Sequence, residues 1–179
     1  MSQNPDQLKE EGLQYFQRKA YSKALGLFET AVSLYSSQEN KLGQAEMLNN
    51  IGVIHRMQHN NDAAIAALQE AESIFAELGA LEQQGQTLGN LGDLFVANKE
   101  RPEAARCYSN ASELLAKAAA PAQQSQVLRA FSLMRLRQGQ WLEAVVLMEQ
   151  SLTIRPRLGI GNYLLRALLR FGLGLIRGK

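Results

Sequence analysis

Two asparagines forty residues apart, Asn50 and Asn90, and a run of arginines toward the C-terminal end are the side chains best equipped for recognition chemistry. A carboxamide carries a donor and an acceptor on one group, so it can pair with both polar groups of a peptide backbone. A guanidinium presents a planar fork of donors that suits a carboxylate or phosphate. Arg166, Arg170 and Arg177 are spaced by four and seven residues, which puts them on one side of a helix. With Arg129 and Arg137 upstream they point to an acidic peptide, or the carboxylate end of one.

Catalytic patterns are weaker. His55 and His59 are four residues apart, adequate for two zinc ligands on a helix, but HRMQH lacks the glutamate of the metalloprotease pattern. Cys107 has no histidine near it in sequence and reads as a packed thiol. The glycines of GLGLIRG (172–178) follow no strand, so they do not form a nucleotide loop. RNA binding would need arginines interleaved with stacking aromatics. Of Phe131, Trp141, Tyr163 and Phe171, three fit packing columns instead. The expectation is therefore no enzyme, no cofactor, no metal and no nucleic acid.

What must position these residues is a repeat. Leu8, Leu48, Leu88, Leu128 and Leu168 fall 40 residues apart, each followed four residues later by Gly12, Gly52, Gly92, Ser132 or Gly172. Twelve further on come Ala24, Ala64, Ala104 and Ala144. A fixed period of this size signals stacked supersecondary units. Strong helix formers dominate and strand-like alternation is absent, so each unit reads as two helices. First helices are expected near 5–18, 42–58, 82–98 and 122–138, and second helices near 21–36, 61–78, 102–118 and 141–154. On the second helices Phe28, Leu68, Tyr108 and Met148 form one apolar column, and Leu34, Ile74, Leu114 and Ile154 another. Ala31, Ala71, Ala111 and Ser151 keep the face between them narrow enough for close helix approach.

The net charge of +2 hides an asymmetry. Residues 1–119 hold ten Lys/Arg against fifteen Asp/Glu, whereas residues 120–179 hold nine against two. That division points to an oriented partner or surface. A lone cysteine excludes an internal disulfide framework and fits a reducing compartment. Met1 to Gln7 is polar, unlike a signal peptide, and no run approaches a membrane span. A cytoplasmic protein is expected.

The pattern resembles the tetratricopeptide repeat family. Leu48, Ile51, Gly52, Ala64, Leu68 and Ala71 carry the resemblance in the second unit; Leu88, Leu91, Gly92, Phe95, Ala104, Tyr108 and Ala111 carry it in the third. Segments such as LNNIG (48–52) and LGNLG (88–92) resemble its longer-helix branch. Departures are Ser132 for glycine, Glu11 for an apolar residue, and His55 and Arg135 where an aromatic is usual. The resemblance implies an all-α, right-handed α-solenoid of about four helical hairpins (near 5–38, 45–78, 85–118 and 125–158), followed by a C-terminal helix near 161–177. It also implies a concave face lined by the first helices. That face would carry Asn50, Arg56 and Asn90, Asp93 in the second and third units. Arg129 and Arg137 follow in the fourth, and Arg166, Arg170 and Arg177 on the last helix. The carboxylate clamp of chaperone-binding members is not supported, because Lys9 and Asn50 fit two of its places but Leu13, Gln86 and Asn90 do not fit the rest.

The expected function is a non-catalytic scaffold or adaptor that holds a peptide or helix of another protein in this groove, acidic segments being favoured toward the basic end. The Leu-rich, Arg-rich segment 157–179 leaves a second reading open: an assembly or tethering factor that uses it for self-association or for peripheral contact with an anionic membrane.

Overall fold

The computed structural model describes residues 4–154. Eight helices follow one another: α1 (Pro5–Gln17), α2 (Tyr21–Ser37), α3 (Lys41–Met57), α4 (Asn61–Glu77), α5 (Leu81–Ala97), α6 (Arg101–Lys117), α7 (Pro121–Arg137) and α8 (Trp141–Ile154). They occupy 85% of the described residues and no strand occurs among them, so the fold is all-α. Each helix packs against the next in sequence, and α5 also touches α3 and α7. This is the α-solenoid of tetratricopeptide type. The C-terminal helix expected near 161–177 lies outside the described residues.

The turns explain the regularity. At every junction the second residue after a helix has a positive φ: Lys19, Glu39, His59, Gly79, Lys99, Ala119 and Gly139, twenty residues apart. In each turn that residue's N–H bonds three residues back and the next N–H bonds five back, as in Lys19 N to Phe16 O and Ala20 N to Tyr15 O. The same pair recurs through Gly139 N to Leu136 O and Gln140 N to Arg135 O. This double closure satisfies carbonyls left over at the helix end and aims the chain straight into the next helix.

Packing follows from small residues on one helix facing large ones on its partner. A Cβ added at Gly12 would stand 2.5 Å from the Phe28 ring, at Gly52 2.5 Å from Leu68, and at Gly92 2.6 Å from Tyr108. Ala24, Ala64 and Ala104 are fully buried beside them. Each large side chain so enclosed contributes roughly 1.5–3 kcal/mol.

Two details of the expected packing are corrected. Leu34, Ile74, Leu114 and Ile154 are only half-buried, and the enclosed column lies one residue on, at Tyr35, Phe75 and Leu115. These stand seven residues after Phe28, Leu68 and Tyr108, two helical turns along the same face, whereas a step of six rotates away from it. In α8 the buried residue is Leu147 rather than Met148, and Trp141, one of the aromatics weighed for packing, is 57% exposed. Ser125 and Ser151 lock α7 to α8 by donating to each other's backbone carbonyls at 3.0 and 2.9 Å.

Candidate partner-binding groove

The inner wall is built by one face of the odd helices. Four clefts run along it, and each shares lining residues with the next. The first, about 270 Å³, is walled by Lys9, Glu46, Asn49, Asn50, Gln83, Gln86 and Thr87. Gln86 passes into the second, about 250 Å³, with Gly89, Asn90, Asp93, Gln123, Gln126, Val127 and Ala130 above Tyr108 and Leu115. Asp93, Tyr108 and Ala130 lead to a third, with Val96, Leu133, Met134 and Arg137. Val96, Met134 and Arg137 continue to the last, rimmed by Lys99, Arg101 and Gln138. The four clefts thus adjoin one another, rich in amides at the N-terminal end and turning apolar and basic after Asp93.

The expected site residues divide within it. Asn50 faces the first cleft, and its side chain makes no hydrogen bond to other described residues. Asn90 faces the second, but its Nδ2 donates to Asn49 Oδ1 at 3.3 Å, and Thr87 donates to the same oxygen at 3.1 Å. Asn90 therefore pairs with the neighbour of Asn50. Arg56 and Asp93 meet each other: the guanidinium pairs with one carboxylate oxygen while the Tyr108 hydroxyl donates to the other at 2.6 Å. Both oxygens of Asp93 are thus engaged before any partner arrives. Burial, and then the bond to Asp93, hold the Tyr108 phenol far above its ordinary range. Arg137 rims the basic end, Arg129 is exposed on α7 and lines none of these four clefts, and Arg166, Arg170 and Arg177 lie outside the described residues.

Sequence reasoning did not single out Lys99 and Arg101, which join Arg137 because the α5–α6 turn reaches the end of α7. It also missed the cross-layer pairs Lys9–Glu46 and Arg56–Asp93. Both join residues 37 apart, so opposite charges at one fixed offset were the available signal.

The other candidates recede. His59 is exposed in a turn and His55 is half-buried, and no group of three or more His, Cys, Asp or Glu side chains able to hold a metal occurs among the described residues. Burial pushes the Cys107 thiol up to about 11, away from the reactive thiolate form. No described helix is long and apolar enough to cross a membrane.

Comparison with known proteins agrees with this architecture. The sequence model of the family described as soluble NSF attachment protein (SNAP) matches residues 2–168. No curated protein matches the chain. Among solved structures, BtubC (BKLC) from P. vanneervenii is similar at 18% identity and a TM-score of 0.75, over 88% of this chain and 70% of that one. MamA is similar at 19% identity and a TM-score of 0.66, over 84% and 78%. The apo form of RapI is similar at 15% identity and a TM-score of 0.71, over 82% of this chain and 41% of that one. At these identities the likeness is one of fold.

Proposed function

The chain belongs to the soluble NSF attachment protein family, and from that premise and the shape of its inner wall we propose that it is a non-catalytic scaffold that holds a segment of another protein in the channel. The single observation that carries this reading is the continuity of the four clefts, each handing lining residues to the next from Lys9 to Gln138. An extended strand or helix can lie along such a wall, whereas a small ligand would call for one deep enclosure.

The amide of Asn50 engages the partner's backbone, since it has both a donor and an acceptor to offer. Arg137, with Lys99 and Arg101, receives acidic residues at the far end, where no carboxylate among the described residues pairs with them. The partner segment thus binds with its acidic part toward α7. The second reading, self-association or anionic-membrane contact through segment 157–179, rests on the composition of that segment.

Site-directed photo-crosslinking tests the groove. A photoreactive residue at Asn50 or Gln126 on the inner wall is expected to capture a partner from the native lysate, and one at the exposed Glu70 or Glu113 of the even helices is not. Capture confined to the outer positions would overturn the assignment. Asn50→Ala should weaken the captured complex by about 0.5–1.5 kcal/mol, the ordinary worth of a neutral hydrogen bond, and Arg137→Ala should also flatten its salt dependence.

A further inference from the structure

The second cleft has a chemistry of its own. It opens because position 89 is glycine; the equivalent places one unit on either side hold Asn49 and Arg129. A Cβ at Gly89 would already come within 3.1 Å of Val127, so any side chain there would crowd the opening. At about 250 Å³ the space falls below the range of drug-sized ligands and suits a single side chain.

Its rim is acceptor-rich. Gln86 and Gln123 both turn their amide nitrogens to Glu82 Oε1, at 3.0 and 2.7 Å, and Asn90 turns its nitrogen to Asn49. Each amide thus keeps its carbonyl oxygen unengaged, beside one remaining N–H. Asp93 adds a carboxylate whose charge Arg56 balances, while Glu82 has no ion-pair partner among the described residues. The rim thus borders one carboxylate, Glu82, that has no ion-pair partner among those residues and holds Gln86 and Gln123 from just outside the lining. Beneath lie the apolar Val127, Ala130 and the edge of Tyr108. A long cationic side chain meets every one of these demands, with its methylene stem on the apolar floor and its N–H groups at the oxygens.

The geometry points to a pocket for a lysine or arginine side chain of the bound segment, at the middle of the channel. This inference rests on the groove reading above and gives the partner a polarity: a basic residue over α5 and α7, and acidic residues beyond it toward Arg137.

Capped pentapeptides of alanine with lysine, arginine, norleucine or glutamate at the centre test it, titrated against the full chain by NMR. The lysine and arginine peptides are expected to shift the Gly89 and Ala130 amides saturably. Norleucine, which keeps the stem and lacks the ammonium, should bind about ten-fold more weakly, the worth of one charge-assisted hydrogen bond. Glutamate should not bind. Glu82→Gln, at a half-buried position, should weaken the lysine peptide with no change in the fold. Gly89→Asn, which copies the neighbouring unit, should abolish the shifts. Norleucine or glutamate binding as well as lysine, unchanged affinity in Glu82→Gln, or silence from every peptide would each overturn the pocket. Crosslinks captured at Asn50 alongside such a result would show that the groove reading survives without it.

Discussion

Ser132 shows how one atom can rescue a broken pattern. In the second unit the corresponding Gly52 lies so close to its partner helix that an added Cβ would sit 3.2 Å from the Ala64 carbonyl. Ser132 brings a hydroxyl to the equivalent carbonyl, donating to Ala144 O at 2.7 Å. Ser132→Ala should therefore cost about 1 kcal/mol in urea unfolding. A neutral result would show that the bond contributes no net stability. Arg135 likewise stands in for an aromatic: its guanidinium lies 4.9 Å from the Phe131 ring centroid, its Nε sits 2.9 Å from Glu143 Oε1, and it donates to Gln140 at 2.9 Å. Cys107 yields a pH prediction. Burial raises its folded value from 9.0 to about 11, so the unfolded chain loses the proton first as pH rises. Stability that is complete below pH 9 should then decline toward pH 11. Cys107→Ser should remove that part of the decline, leaving the fall that sets in from about pH 10, where the tyrosines of the unfolded chain ionise before the raised Tyr35 and Tyr108 of the fold. Matching curves for both proteins would refute the assignment.

At the scale of the element, the turn is the recurring decision. Five of the seven positive-φ positions carry a side chain, and only Gly79 and Gly139 are glycine. A side chain there costs roughly 1–2 kcal/mol in local backbone energy, which the hydrogen-bonded closure and helix packing must exceed. Ala119→Gly, at φ 54°, should thus raise the unfolding free energy by about 1 kcal/mol, and Gly79→Ala, at φ 64° with open space around it, should lower it by a similar amount. Thermal unfolding of the two variants checks both signs; shifts in the same direction would mean that the turn geometry is not the controlling quantity. The closures also select the residue five before each N-terminal cap. Phe75 shares a cluster that Ala80 packs against, and Leu115 clusters with Ala120, joining the end of one helix to the start of the next.

For the molecule as a whole, contacts run from each helix to its neighbours, as in a one-dimensional array. A fault should therefore spread locally. Gly92→Val forces a branched side chain against the Tyr108 ring and should cost about 1–3 kcal/mol. Hydrogen exchange is expected to speed up first in α5 and α6, then in α4 and α7, with α1 and α2 affected least. Uniform loss of protection would mean that the stack unfolds as one unit. The same linear build lets the inner wall change character along its length. Its ion pairs, Lys9–Glu46 and Arg56–Asp93, tie adjacent layers near the N-terminal and central parts, while Lys99, Arg101 and Arg137 keep their charges free at the other end.

Period, helix type and helix placement were legible from the residues alone, because a stack of identical hairpins repeats its small and large side chains at a fixed interval and each helix announces itself through local propensity. That Asn50, Asn90, Arg56 and Asp93 share one face was implied by the family resemblance. What they do there was not. Whether Arg56 greets a partner or Asp93, whether Asn90 is free or held by Asn49, and whether Gly89 is a packing glycine or an opening depend on side chains from three different helices meeting in space. The positive φ of the turns was equally hidden, since lysine, glutamate, histidine, alanine and glycine all adopt it at equivalent places. Sequence sets the spacing of the layers; only their contact decides which polar groups remain unspent.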